Sequence, residues 1–162
     1  MVDVGRPRIL NSLTTLPWGL LNRDKSIVTN APDAANSAPT EVKKRIVIVD
    51  DDPEIIDSVR YALEALGLEV LIARDGNQGL ALAEKESPDL VILDMMMPKR
   101  SGFLVVEKLR RTLPVPVKII MITANEGSRH KAYADMLGVD DYIRKPFPMD
   151  RLIESVKRLL AA

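Results

Sequence analysis

The sequence predicts an α/β fold, a parallel five-stranded sheet held between two layers of helices. Two observations carry this. Between Lys43 and Ala162, segments with strand and helix periodicity alternate five times; such alternation requires right-handed crossovers and parallel strands. Three of the strands, IVIV (46–49), DLVILD (89–94) and KIIMIT (118–123), are apolar runs without polar alternation, so both faces of the sheet need cover.

The elements follow in order. IVIV is β-branched throughout. From Pro53, the residues Ile55, Ile56, Val59, Leu63 and Leu66 share one helical face, and Gly67 stops the helix. A short strand spans Glu69 to Ala73, and a helix with Leu80, Ala81 and Leu82 spans Gln78 to Glu86. After the 89–94 strand, Phe103, Val106 and Leu109 mark a helix over 102–111. After KIIMIT, a helix over 128–137 is poor in large apolar residues, with Ala132, Ala134, Met136 and Leu137 as its core candidates. Val139 to Ile143 is the last strand. The last helix, 149–160, turns Leu152, Ile153, Val156, Leu159 and Leu160 inward.

Residues 1–42 differ in character. The stretch 29–40 is rich in Ala, Asn, Pro and Ser and reads as a linker, so 1–42 is expected to be a disordered N-terminal extension. Ile9 to Leu21 is more apolar and holds Trp18, which leaves a short docking segment around Leu16–Leu21 as the second reading. Asn11, Thr14, Thr15 and Pro17 interrupt it too often for a secretory signal. The 23 basic and 23 acidic residues cancel, which argues against a dedicated nucleic-acid binder. The chain has no cysteine, which excludes disulfides, thiol catalysis and cysteine zinc sites and suits a reducing cytoplasm. No apolar run approaches the ~18–20 residues needed to cross a bilayer.

Ligands of open α/β sheets sit beyond the carboxyl ends of the strands. Those ends carry Asp50, Asp51 and Asp52 after the first strand, Asp94 after the third, Thr123 after the fourth and Lys145 after the fifth. Clustered carboxylates need a cation. Mg²⁺ (or Mn²⁺) takes oxygen ligands, one or two carboxylates with water and phosphate. A lysine suits a phosphoryl group, and a carboxylate can become an aspartyl phosphate. The set describes metal-assisted phosphoryl transfer to an aspartate. Asp52, just before Pro53, reads instead as a helix N-cap. The single histidine, His130, lies in the polar stretch EGSRHKAYAD and reads as a surface residue; Met95–Met97 reads as loop and rim packing.

In this order, IVIVDDDP, VILDMMMP, IIMITA and DDYIRKPF resemble the receiver domain of two-component response regulators, the CheY-like superfamily, over residues 43–162. The resemblance implies a flavodoxin-like (βα)5 three-layer sandwich with strand order 2-1-3-4-5. It implies Asp94 as phospho-acceptor, Asp51 as a direct Mg²⁺ ligand, Asp50 as a direct or water-mediated one, and Met96 as a ligand through its backbone carbonyl. It further implies Thr123 on the phosphoryl group, Lys145 paired with phosphoryl oxygens, Tyr142 as the switch aromatic and an often cis Lys145–Pro146 bond. The implied protein is a signalling molecule rather than an enzyme. It takes its phosphoryl group from a histidine kinase or histidine phosphotransfer protein. It then signals by protein contact through its 125–160 face, which includes Arg129, Tyr133, Asp141 and Arg144. With no output domain before the end at Ala162, it is expected to be a single-domain regulator without direct nucleic-acid or membrane contact, a monomer or a weak phosphorylation-dependent dimer.

Two departures matter. The loop MPKRSGF has Ser101 where the family often has an acid, and Lys99 and Arg100 make it basic, which points to altered partner recognition. Met96 and Asn125 occupy the positions that commonly tune phosphate lifetime, and Met96 cannot position an attacking water, so a lifetime of minutes or longer is expected. A phosphohydrolase of the haloacid dehalogenase type would use Asp50 as nucleophile within Asp50-x-Asp52, but Pro53 breaks its pattern and Asp94 would have no role. A receiver-fold scaffold without phosphorylation is disfavoured by the complete acceptor set. FMN binding is weaker still, because no Ser/Thr/Gly phosphate loop follows the first strand.

Overall fold

The structure, a computed structural model, describes residues 42–124 and 127–162; the expectations for residues 1–41 and for Asn125 lie outside the described residues. Five strands, β1 (Arg45–Val49), β2 (Glu69–Ala73), β3 (Leu90–Asp94), β4 (Lys118–Thr123) and β5 (Asp141–Arg144), alternate with five helices, α1 (Pro53–Glu64), α2 (Gly76–Glu86), α3 (Gly102–Thr112), α4 (Ser128–Met136) and α5 (Met149–Ala161). The strands pair in parallel in the order β2-β1-β3-β4-β5, the order the receiver resemblance implies.

The apolar strands serve two cores at once. Val47, Val49, Val91, Leu93, Ile119 and Met121 join the core under α2, α3 and α4. Their alternating neighbours Ile46, Ile48, Leu90, Ile92, Ile120 and Ile122 join the core under α1 and α5. Successive side chains of a strand point to opposite faces, which is why no polar alternation survives in these strands.

Helix ends are set locally. Asp52 caps α1 as the sequence suggests, its Oδ1 accepting from the N–H groups of Glu54 (2.9 Å) and Ile55 (3.4 Å) ahead of Pro53. α1 ends at Glu64, two residues earlier than the pattern suggests, and Leu66 is left largely exposed before the left-handed Gly67. α2 starts at Gly76 rather than Gln78, because Asp75 caps it through Asn77 N (3.0 Å) and Gln78 N (2.9 Å). Its buried face is Gly76, Gly79 and Ala83, and Ala81 faces solvent. A Cβ on Gly79 would lie 2.6 Å from a Val49 methyl, so α2 sits unusually close to β1.

α4 is held least. Among its residues only Ala134 is buried; Leu137 beyond its end is half-buried, Ala132 is exposed, and Met136 is 82% exposed. The chain leaves it through the left-handed Gly138, and Val139 N–H still bonds Ala134 O, which delays β5 to Asp141. Arg151 and Arg158 of α5 pair with Asp141 of β5, and the Ser155 hydroxyl donates to the same carboxylate.

Two outcomes follow for stability. Gly102 opens α3 with its Cα against the backbone, where a Cβ would meet Asp94 O at 2.5 Å. Gly102→Ala is expected to destabilise the domain by about 1–3 kcal/mol through overpacking, read as a lower urea midpoint. Burial works against ionisation of Asp141, yet Ser155, Arg151 and the Tyr142 N–H together hold its pKa below the ordinary 3.8. A depressed carboxyl stabilises fully above its unfolded value and loses this as pH falls through the folded one, so the contribution of Asp141 to the urea midpoint should hold down to about pH 4 and then be lost. The difference in urea midpoint between wild type and Asp141→Asn should therefore shrink below about pH 4.

Candidate functional site

The strand order brings the carboxyl ends of β1, β3, β4 and β5 side by side. Asp50 follows β1 and is 2% exposed, Asp94 ends β3 and Thr123 ends β4, both buried, and Lys145 follows β5. Asp51 is exposed at the rim. Asp50, Asp51 and Asp94 each present one carboxylate oxygen, and the three oxygens lie within 4.8 Å of one another. Lys145 Nζ reaches Asp50 Oδ2 at 2.9 Å and Asp94 Oδ2 at 3.3 Å. Its own backbone N–H is anchored to Thr123 O at 2.7 Å, and its bond to Pro146 is cis.

Three carboxylates face one ammonium. Burial raises the Asp94 carboxyl above its ordinary pKa; Lys145 and the Met96 N–H pull it down, and Asp50 pushes it further up. Burial works against the Lys145 charge, but Asp50 and Asp94 more than compensate and raise its pKa. The ammonium therefore stays charged and still leaves negative charge over. An all-oxygen donor set with surplus negative charge fits a hard divalent cation such as Mg²⁺.

Asp52 does not join the group. Its side chain caps α1, while its N–H donates to Asp50 Oδ1 at 2.9 Å and braces that carboxylate. An Asp50-x-Asp52 nucleophile pair is thus not assembled.

The three methionines after β3 part ways. Met96 donates its N–H to Asp94 Oδ1 at 3.2 Å and turns its side chain outward, 62% exposed. Met97 is half-buried as rim packing. Met95, in contrast to the rim role read from sequence, is core, and Thr123 Oγ1 donates to its sulfur at 3.7 Å. Tyr142 is half-buried, and among the described residues its enclosed hydroxyl makes no well-formed hydrogen bond. Burial raises its pKa, opposed by the nearby Thr123 hydroxyl and the Lys131 charge.

On the face expected to meet partners, Arg129, Tyr133 and Arg144 are exposed, whereas Asp141 is engaged with α5. His130 is not the plain surface residue its polar surroundings suggest. Its ring stacks on Phe103 with centroids 6.0 Å apart, and its Nδ1 is buried without a partner. Phe103 also packs edge-on against Tyr133, whose hydroxyl bonds Glu107. Beside Lys145 lies a cavity of about 520 Å³ lined by Ile55, Val59, Ala124, Pro146, Phe147 and Met149. The run KPFPM, apolar directly after the lysine, was its signal in the sequence.

Residues 46–157 match the family model of the response regulator receiver domain. The chain is 44% identical over 119 residues to the DNA-binding dual master transcriptional regulator RpaA of a Synechocystis species, a match covering 72% of this chain and 48% of that protein. It is 39% identical over 119 residues to the alkaline phosphatase synthesis transcriptional regulatory protein PhoP of Bacillus subtilis, covering 74% and 49%. The chain thus spans about half the length of these curated relatives. A CheY-like receiver domain protein from Methanospirillum hungatei superposes with a TM-score of 0.70 at 37% identity, covering 74% of this chain and 94% of that one. Among the described residues no helix is long and apolar enough to cross a membrane. With its five-stranded order, its acidic group and this match over most of its length, the chain belongs to the response regulator receiver family, signalling modules of two-component systems rather than classical enzymes.

Proposed function

We propose that this protein is a phosphoryl-accepting response regulator in which Asp94 is the acceptor. The observation that carries this reading is the convergence of Asp50, Asp51 and Asp94 oxygens within 4.8 Å, with Lys145 bridging Asp50 and Asp94. Asp50, Asp51, Asp94 and the Met96 backbone carbonyl would hold Mg²⁺ (or Mn²⁺), which when bound neutralises the developing charge on the transferred oxygens.

The donor is a phosphohistidine on a histidine kinase or phosphotransfer protein. An Asp94 carboxylate oxygen attacks phosphorus, the P–N bond breaks, and the electron pair returns to the donor imidazole. Lys145 shifts from the Asp50–Asp94 pair to the new phosphoryl oxygens. Thr123 Oγ1 exchanges a weak thioether acceptor for a strong phosphoryl one. That movement draws on the enclosed Tyr142 and on α4, which one buried side chain holds, and alters the 125–160 face that meets a protein target. The receiver spans residues 43–162 in this reading, with 1–42 as an extension. Its balanced charge supports a protein target over direct nucleic-acid contact for this segment, and its cysteine-free sequence supports a cytoplasmic site.

Incubated with a small acyl phosphate and Mg²⁺, the protein should take up one acid-stable, base-labile label. Asp94→Asn and a metal chelator should each abolish it. Asp52→Ala should keep the label while lowering stability by about 1 kcal/mol through the lost cap. Label retained in Asp94→Asn but lost in Asp50→Asn would assign the nucleophile to Asp50 and overturn the proposal. Because Met96 offers no group to orient water, purified phosphoprotein should hold its label for minutes or longer, and loss within seconds would contradict this.

A further inference from the structure

The β3–α3 loop carries Met96, and three ties bind it to the start of α2. Lys99 Nζ lies 2.7 Å from Asp75 Oδ2. Arg100 Nε donates to Asn77 Oδ1 at 2.8 Å. The Arg100 carbonyl approaches α2 so closely that a Cβ on Gly76 would meet it at 2.6 Å. At the near end of the loop, Met96 N–H bonds Asp94, and Gly102 N–H closes the loop on Met95 O at 3.0 Å. Lys99 stands between these two anchorages.

The Asp75–Lys99 pair joins a buried carboxylate to a lysine whose side chain is 62% exposed. The Asp75 side chain is only 6% exposed. Its Oδ1 takes the Asn77 and Gln78 N–H groups, and its Oδ2 takes Lys99. The hydrogen bond from Lys99 is the largest influence holding the Asp75 carboxyl below its ordinary pKa. Lys99 itself sits at φ +67°, a conformation that glycine enters freely and lysine does not. What lysine supplies there and glycine cannot is the ion pair.

We propose that Lys99 is a positioning residue: its pairing with buried Asp75 clamps the β3–α3 loop onto the first turn of α2 and holds the Met96 backbone against the carboxylate group. This rests on the metal-binding reading of Asp50, Asp51 and Asp94. The clamp gives Lys99 an effect opposite in sign to its charge. A cation near a Mg²⁺ site repels the ion, so removing the charge alone would tighten binding. Removing the clamp loosens it.

The test is a Mg²⁺ titration of the full chain, followed by amide chemical shifts around Asp94, for wild type, Lys99→Met, Lys99→Arg, Asp75→Asn and the Lys99→Met/Asp75→Asn double variant. Asn retains the α2 cap, and the amide spectra themselves report that each variant is folded. Lys99→Met and Asp75→Asn should each weaken binding by about threefold to tenfold, at and below the low end for outer-shell partners. Lys99→Arg should restore most of the loss. The double variant should bind no more weakly than either single one, because both remove one interaction. Lys99→Met binding as tightly as wild type or tighter overturns the clamp, as do losses that multiply in the double variant. A wild type that shows no saturable Mg²⁺ response overturns the metal reading itself, and the clamp with it.

Discussion

Two buried carboxylates share one ammonium. The Asp50 and Asp94 side chains are almost wholly removed from water, and Lys145 is what makes their proximity tolerable. Burial pushes the Asp94 carboxyl toward its neutral form, and the Lys145 charge is the largest influence opposing that. The fold exists around this arrangement in a concrete sense. β1 and β3 are neighbours, β4 lies next, and β5 closes the edge; this order aims an acid from each of the first two and the lysine from the last at one point. The contribution of Lys145 is also incomplete, and the remaining negative charge suits a divalent cation.

The rest of the molecule divides into parts that hold this group still and parts that do not. The double core under β1, β3 and β4 fixes the strand ends. The Asp52 N–H fixes Asp50, and the Met96 N–H fixes Asp94. By contrast, one bond of the Thr123 hydroxyl goes to a thioether at 3.7 Å, a weak acceptor. Among the described residues, the Tyr142 hydroxyl and His130 Nδ1 are enclosed without a well-formed hydrogen bond. Unmet polar groups cost stability, and here one lies on α4, the helix with least buried, and the other on the edge strand β5.

Much of this was legible in the sequence. Apolar runs ending in acids located β1 and β3, and Asp-Pro located the start of α1, so the split of Asp50 and Asp51 from Asp52 could be read directly. α2 was misplaced by two residues because its buried face is glycine and alanine, which carry no apolar period. The Asp75-x-x-Gln78 spacing of a capping box was the available signal. α4 misled in another way. With Ala134 as its one buried residue, its composition does not fix its rotation, and Met136 and Ala132 turned out to face solvent. The depth of Met95 and the stacking of His130 depend on Thr123 and Phe103, each 27 or more residues away in sequence, a distance no local pattern spans.

The ties between β5 and α5 have a consequence for how any partner would read this face. Asp141 accepts from Arg151, Arg158 and Ser155, so strand and helix are stapled into one body at the side of the sheet. α4 rests on the sheet through one buried side chain, Ala134. A partner that spans both is in contact with a fixed scale and a sliding pointer. Its affinity then depends on a relative displacement rather than an absolute shape. A small shift of one short helix suffices to be measured, because the reference mark against which it is read does not move with it.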